Sequence, residues 1–575
     1  MSIFENLPVS LTQETVLNTP KATLSRDQIL QASGLLIASI ILLITLVLPL
    51  YTILSKSVED QQGGFIGLAN YIDYFSTPAL SMSISHTLTI AFITTFIVIG
   101  LALLTAYALT RTCMPGRGFF KVFLMAPIFA PSLLPAISLV YLFGNQGVLK
   151  GLMFGETIYG PIGIVIGLAF WCFPHALMIL VTALSNTDAR LYESAKVLRT
   201  SGFRTFMTIT LPSIKYGLIS ASFVVFTLVI TDFGVPKVIG GQYNMLATDI
   251  YKQVIGQQNF SMGAVVSVVL LLPALFAFAI DRWVQRKQVA LLSARAAPLI
   301  PKKNPVKDWT MLALCLPVPI IILTVLGMAV YASLVSFWPY NLSLSFANYQ
   351  FDLMDGGGWE AYYNSLEMAC WTALIGTLFI FYNAYLVEKI KGLKTLRMLY
   401  HLAAMIPLAV PGMVLGLAYV FFFNAPNNPL NFVYGTMAIL VICTVAHYYT
   451  VCHLTAVTAL KQIDNEFEAV SASLKIPFYV TFWRVIMPVS LPALLEIGSY
   501  LFMNAMTTVS AVVFIYSADT MLASVAVLNM DDAGDIAPAA AMGVLIMGTC
   551  ILAKLIHWVF SHYLLARTQR WRADT

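Results

Sequence analysis

Residues 188–212 read DARLYESAKVLRTSGFRTFMTITLP, and residues 464–488 read DNEFEAVSASLKIPFYVTFWRVIMP. Each is a polar interruption between long apolar runs. Laid over one another at a spacing of 276 residues, Asp188 meets Asp464, Leu198 meets Leu474, Thr205-Phe206 meets Thr481-Phe482, and Pro212 meets Pro488. A self-similarity of this period decides the architecture: the chain is two copies of one unit.

Outward from these stretches the match continues. Ala69-Asn70-Tyr71 pairs with Ala347-Asn348-Tyr349, Ala106-Tyr107 with Ala384-Tyr385, and Met125-x-Pro127 with Met405-x-Pro407, all at intervals of 278 to 280 residues. The surrounding composition is that of a membrane protein: 575 residues, 59% hydrophobic and only 10% charged, with a mean hydropathy of +0.82. A soluble domain carries charged residues nearer a quarter of its length. Inside a bilayer no water satisfies backbone groups, so apolar runs of about 20 residues are expected as helices.

Twelve such runs are expected, at 33–54, 84–109, 122–143, 161–184, 216–231 and 262–280, then at 309–334, 365–387, 399–423, 434–460, 493–515 and 536–560. The third run of each half carries prolines (Pro127, Pro131 and Pro135; Pro407 and Pro411) and is expected to kink. Six spans per half is an even number, so both copies enter the membrane from the same side as parallel repeats. The expected fold is all-α, with a tail over 1–30, a first domain over 31–292, a linker over 293–308 and a second domain over 309–575. The linker contains AAPLIPKKNPVKD and reads as a solvated connection rather than a packed element.

The net charge of +5 matters through its distribution. With the N-terminus inside, one set of loops holds Arg111, Arg117 and Lys121; Arg190, Lys196, Arg199 and Arg204; Arg282, Arg286 and Lys287; Lys389, Lys391, Lys394 and Arg397; and Lys461, Lys475 and Arg484. The opposite set holds only Lys56, Lys150, Lys237 and Lys252. Lysine and arginine accumulate on the cytoplasmic side, which places both polar stretches and both termini in the cytoplasm and excludes a nucleic-acid reading of the basic balance. The N-terminal segment lacks the short apolar core of a cleavable signal, so the first run is expected to stay as an anchor.

Within each polar stretch Asp188 or Asp464 can cap a short helix. Leu191, Ala195 and Leu198, or Phe467, Val470 and Leu474, recur at helical spacing, and Gly202 or Pro477 is then expected to break the helix before Pro212 or Pro488 opens the fifth span. One such helix alone reads equally as an amphipathic loop in the headgroups. Two at equivalent positions point to paired docking sites for a two-fold partner.

These loops resemble the EAA motif of bacterial binding-protein-dependent ABC importer permeases. In that motif E-A-A, a glycine four residues on and a later hydrophobic-x-L-P mark the helix that sits in a groove of an ATPase subunit. The first copy supplies Glu193-Ser194-Ala195 and Ile209-Thr210-Leu211-Pro212; the second supplies Glu468-Ala469 and Val485-Ile486-Met487-Pro488. Arg199 and Lys475 stand where the motif glycine is expected, and Glu468 lies one residue farther from its proline than Glu193 does. The resemblance implies a type I permease fold in the bacterial inner membrane and an ATPase dimer on the cytoplasmic face that holds ATP and Mg. It also implies a periplasmic solute-binding protein on the other face, a small-molecule cargo, and no cofactor in this chain itself. Fused double permeases of this kind are similar to those of 2-aminoethylphosphonate importers and of ferric-iron importers. The stretch TDFGVPKVIGGQYNMLATDIYKQVIGQQNF at 231–260 favours the phosphonate group.

The chain has no GxxxxGK[ST] loop and no Gly-Lys pair, so ATP phosphates must be held elsewhere. For a cargo path, Asp232 at the end of the fifth span, its counterpart Thr508, and Asn504 are candidates because polar groups are costly in lipid. Lys237 or Lys252 is the candidate for a phosphonate, while a solvated loop boundary is the plainer reading of all three charges. Glu367 and Lys554 also fall inside spans. Cys172 with His175, and Cys443 with His447, each share a helix face, and are read as packing rather than as metal pairs. An ion-coupled secondary transporter would need intramembrane coupling carboxylates and no paired docking loops. A membrane enzyme would need clustered His, Asp or Glu, and the seven histidines are scattered.

Overall fold

The computed structural model describes residues 26–289, 299–389, 393–464 and 466–568. Most of the expected tail and residues 293–298 of the expected linker lie outside this set. The described chain is helical apart from a small hairpin pairing Val335–Phe337 with Asn341–Leu344. Eight helices are long and apolar enough to cross a membrane: Arg26–Lys56, Pro78–Arg111, Pro161–Ser185, Gly202–Thr231, Phe260–Gln285, Pro305–Leu334, Gly358–Lys389 and Ile536–Tyr563. Four bent pairs supply the remaining spans of a twelve-span reading.

Three of the four bends have identifiable causes. The third spans break by 104° between Arg117–Phe129 and Leu133–Phe143 and by 114° between Lys394–Ala409 and Gly412–Phe423. In each, a 3₁₀ turn opened by Met125 or Met405 leads into Pro131 or Pro411. The fifth spans, by contrast, differ. Helix Gly202–Thr231 runs unbroken through Pro212, whereas Phe478–Val489 and Leu491–Thr507 meet at 77°. Both copies widen into a π turn just before the proline, with Leu211 N–H bonded to Phe206 O and Met487 N–H to Phe482 O. Such a turn absorbs the donor that proline lacks. The second half has Pro492 four residues after Pro488, where the first half has Tyr216, and a second missing donor one turn on leaves the ladder open.

Two expected boundaries therefore move. The fifth span of the first half does not begin at Pro212, because the π turn carries the helix back to Gly202. The eleventh span stops at Thr507 rather than 515, since Val509–Ile515 is buried non-helical backbone whose amides bond locally, as in Val512 N–H to Val509 O at 3.1 Å. Hydropathy registers that burial and is blind to the backbone.

The Ala-Asn-Tyr repeats explain themselves. Asn70 donates to Ser57 O and Glu59 O at 3.2 and 2.8 Å, and Asn348 to Ser333 O and Val335 O at 3.1 and 2.7 Å. Tyr71 reaches Ser57 Oγ and Tyr349 reaches Ser333 Oγ, both at 2.9 Å. Each triplet clamps the end of the first span of its half. Those first spans cross over. Leu48–Lys56 packs on Gly412–Phe423 of the second half, with Tyr419 donating to Thr45 O at 2.6 Å, and Pro317–Leu334 packs on Leu133–Phe143 of the first. The two halves thus share one continuous core.

Over its described part the linker is exposed at 302–306 and packs only at its end. Asn304 caps the helix Pro305–Cys315, and buried Asp308 accepts from Cys113 N at 2.8 Å. Lys307 reaches Arg111 O at 3.2 Å and Tyr107 OH at 3.3 Å. A desolvation cost explains the packing: the buried Asp308 carboxylate accepts from Asn304 N at 3.1 Å within its own cap, and docking supplies the Cys113 amide as its second donor.

Candidate functional site

The two polar stretches fold alike. Asp188 accepts from Arg190 N at 3.0 Å to open Ala189–Val197, and Asp464 accepts from Glu466 N at 3.1 Å to open Glu466–Ser473. Each helix then closes in the same paired-bond turn. In the first, Thr200 N–H bonds Ala195 O at 3.1 Å and Arg199 N–H bonds Lys196 O at 3.1 Å. In the second, Ile476 N–H bonds Ser471 O at 2.9 Å and Lys475 N–H bonds Ala472 O at 3.1 Å. This is a Schellman cap, which requires a left-handed residue at its corner. Arg199 has φ +51° and Lys475 φ +55°. The residues that depart from the motif glycine therefore keep the glycine's conformation.

That geometry corrects the expected breakers. Gly202 and Pro477 do not end the helices. Gly202 is the first residue of the next helix, behind the cap Ser201, and Pro477 caps Phe478–Thr481. Ala195 is buried under its helix while Leu191, Val197 and Leu198 face outward, as do Phe467, Val470 and Leu474 in the second loop. Each loop thus presents an apolar face with no cover in the described chain.

What differs is how each helix is anchored. Arg111, at the end of the second span, is buried; its guanidinium donates to Leu184 O at 2.7 Å and to Thr187, and lies 5.0 Å from the ring centroid of Tyr192. Lys389 ends the equivalent span and donates to Ile463 O and Glu468 Oε2, both at 3.3 Å. At the 276-residue spacing Ile463 is the counterpart of Thr187, and Glu468 is the counterpart of Tyr192, not of Glu193. Ala469 stands opposite Glu193. Glu193 is exposed and bonds nothing in the described chain, whereas Glu468 is turned inward. The anchors escaped sequence reading because an Arg–Tyr pair and a Lys–Glu pair share no residue type.

The expected cargo residues divide. Asp232, Asn504 and Thr508 line one cavity of about 460 Å³ between the halves, together with His175, Asp281 and His447. Asp232 also has structural work, accepting from Val235 N at 2.9 Å. Asn504 donates back to Tyr500 O at 2.8 Å, and buried Thr508 Oγ1 is unpartnered. Asp281 was overlooked because it lies one residue beyond the expected sixth span. Lys237 is elsewhere: it pairs with Asp532 of the second half at 2.8 Å and lies 5.0 Å from the Tyr251 ring centroid. Beside that bridge, burial first and the neighbouring Asp532 charge second push the Asp531 carboxyl up to about 6, against the pull of Lys237. Lys252 bonds Asn244, Glu367 is exposed, and Lys554 pairs with Glu496 at 3.4 Å. Cys172 and Cys443 are fully buried, and among the described residues no three His, Cys, Asp or Glu side chains gather to hold a metal ion.

One wall of this cavity carries a further repeat. A Cβ built on Gly234 would fall 2.2 Å from Ser132 Oγ, and one on Gly412 would fall 2.3 Å from Ser510 Oγ. Gly412 is the counterpart of Ser132, and Ser510 of Gly234. The contact is the same in both halves, with its two members exchanged.

Residues 97–289 match the family described as the binding-protein-dependent transport system inner membrane component. That match includes the first loop. The chain is 28% identical over 492 residues to a ferric transport system permease protein of Actinobacillus pleuropneumoniae, covering 82% of this chain and 70% of that protein. It is 24% identical over 496 residues to an Fe(3+)-transport system permease protein of Haemophilus influenzae, covering 84% and 89%. A chloroplastic sulfate permease of Chlamydomonas reinhardtii matches over 179 residues at 25% identity, 30% of this chain and 48% of that one. The all-helical architecture is the type I permease fold.

Proposed function

We infer that this chain is a membrane-spanning subunit, two permease domains in one polypeptide, of an ABC importer fed by a solute-binding protein. It is a transport subunit, not an enzyme. The observation that carries the reading is the pair of capped helices at equivalent places, each with an exposed apolar face, in a chain that lacks a phosphate-binding loop of its own. A separate ATPase dimer docked on both helices supplies the energy, and ATP and Mg are held there. When nucleotide closes that dimer, the two helices are drawn together. Arg111 and Lys389 tie each helix to the end of a second span, and each helix is covalently continuous with a fourth and a fifth. The pull therefore moves three spans of each half as a body, opening the cavity around Asp232 and Thr508 to the far side. The Lys237–Asp532 bridge lies between the halves away from both loops, where such an opening parts them.

Ferric iron is the cargo favoured over a phosphonate, since the Actinobacillus and Haemophilus relatives above each span more than four fifths of this chain and bear iron-transport names. The side chains agree with this choice. Lys237 and Lys252, the cations considered for a phosphonate, are engaged by Asp532 and Asn244, while Asp232 and Asp281 offer a hard cation oxygen ligands on its way through.

Proteoliposomes containing this chain, its ATPase and an iron-loaded binding protein test both levels. ATP-dependent uptake of radioactive iron, absent without the ATPase, is the expected result. Uptake driven by a proton gradient with this chain alone would sink the importer reading, and uptake of 2-aminoethylphosphonate in place of iron would sink only the cargo.

A further inference from the structure

The third span of the second half begins with Lys394–Met405, a helix of 12 residues that no part of the transport reading uses. Beside its first turns lies a recess of about 340 Å³ lined by Lys394, Arg397, His401 and Lys461, with Glu388 as its one acid. Arg397 bonds the carbonyls of Val387 and Glu388, which seats its positive charge in the wall. Lys394 and Lys461 are exposed and have no partner among the described residues. The helix start adds to the same potential, because its residue before the first turn, Leu393, provides no side-chain cap, so first-turn amides stay open beside the cations.

On the same helix Met398, Leu399 and Leu402 are each more than half exposed. A soluble anion has no use for such a border; a lipid does. Its headgroup phosphate meets the cations and amides while its acyl chains lie along the apolar side chains. We propose that this recess binds the phosphate headgroup of an anionic lipid of the membrane leaflet that faces the two polar loops. The first half supplies an internal comparison. Arg117 and Lys121 correspond to Arg397 and His401, but Met114 and Ser185 stand where Lys394 and Lys461 are, so both lysines of the recess are missing there.

This inference does not depend on the transport reading, and its test reads lipid retention rather than uptake. The full chain is purified in mild detergent, equilibrated with equal amounts of phosphatidylglycerol and phosphatidylcholine, and analysed by native mass spectrometry. The expected result is selective retention of phosphatidylglycerol that weakens about 30-fold in the Lys394→Gln/Lys461→Gln variant, at roughly 1 kcal/mol per lysine at an anionic surface. Retention should return with Lys394→Arg/Lys461→Arg and stay unchanged with Lys121→Gln. Unaltered retention in the double glutamine variant, with native size and melting temperature, would overturn the proposal. Displacement of the lipid by inorganic phosphate would also overturn it, and would assign the recess to a free anion instead.

Discussion

The first and second polar loops have the same backbone and different anchors. Both helices are capped by an aspartate, both end in a left-handed corner, and both run on into a π turn and a proline. Yet one helix is held by a buried guanidinium stacked on Tyr192, and the other by an ammonium paired with Glu468. The cavity wall repeats the lesson, with Ser132 against Gly234 on one side and Gly412 against Ser510 on the other. At these two places the halves share the contact and differ in its chemistry, so what the repeat preserves there is the pair and not the residue.

The hardest way to break this comparison is to put like charges where one copy has opposite ones. Lys389→Glu would place a second carboxylate against Glu468 in a site where Lys389 is only 7% exposed. Breaking a buried pair costs about 3–5 kcal/mol, with part of that relieved here because Glu468 is less enclosed. A large fall in melting temperature and loss of binding-protein-stimulated ATP hydrolysis are expected. Lys389→Glu with Glu468→Lys should recover most of both. More tellingly, Lys389→Arg with Glu468→Tyr, which transplants the first loop's pair into the second, should also function; if only the charge swap rescues, the two anchors are not interchangeable solutions.

Next in size is the serine–glycine exchange. Gly412→Ser alone would drive a Cβ to 2.3 Å from Ser510 Oγ, overpacking that typically costs about 1–3 kcal/mol. Adding Ser510→Gly creates the arrangement already present in the other half and should restore most of the lost stability. A double variant as unstable as the single would show that the pairs are not equivalent.

The loop glutamates separate stability from coupling. Glu468→Ala removes the carboxylate from the buried Lys389 ammonium and leaves it Ile463 O, an expected loss of about 1–3 kcal/mol measurable on the isolated chain. Glu193→Ala should leave that melting temperature within about 0.5 kcal/mol of the parent, as exposed substitutions do, while lowering ATPase stimulation. Equal effects of the two on both readouts would remove the distinction between an inward and an outward glutamate.

The parts of this fold that could be read in advance are those where the two copies use the same residue type. The loops, the Ala-Asn-Tyr clamps and the prolines of the third spans announce themselves because asparagine, tyrosine and proline recur at one spacing. The Arg111 and Lys389 anchors do not, since alignment by identity sets Glu193 beside Glu468 although the backbone sets Tyr192 there. Lys237 stood as a cargo candidate or a solvated loop charge because nothing along the chain says that Asp532 folds against it. The exchange of first spans between halves is equally silent, as a contact across the pseudo-axis has no period. The bend at Ser490 was legible in principle, for Pro488 and Pro492 stand one helical turn apart.

The smallest effect tests the feature the loops share. An L-residue in the left-handed region costs on the order of 1 kcal/mol relative to glycine, so Arg199→Gly and Lys475→Gly should each stabilise the isolated chain by about that amount. Both corners have φ within a few degrees of each other, and the gain should be the same in both. If the chain nevertheless retains a cation at this corner in each loop for the partner's sake, ATPase stimulation will fall while the melting temperature rises. Opposite movement of the two readouts at both positions would assign Arg199 and Lys475 to the docked surface. Parallel improvement would leave the corner as backbone geometry alone, and the difference between the loops would then reside wholly in their anchors.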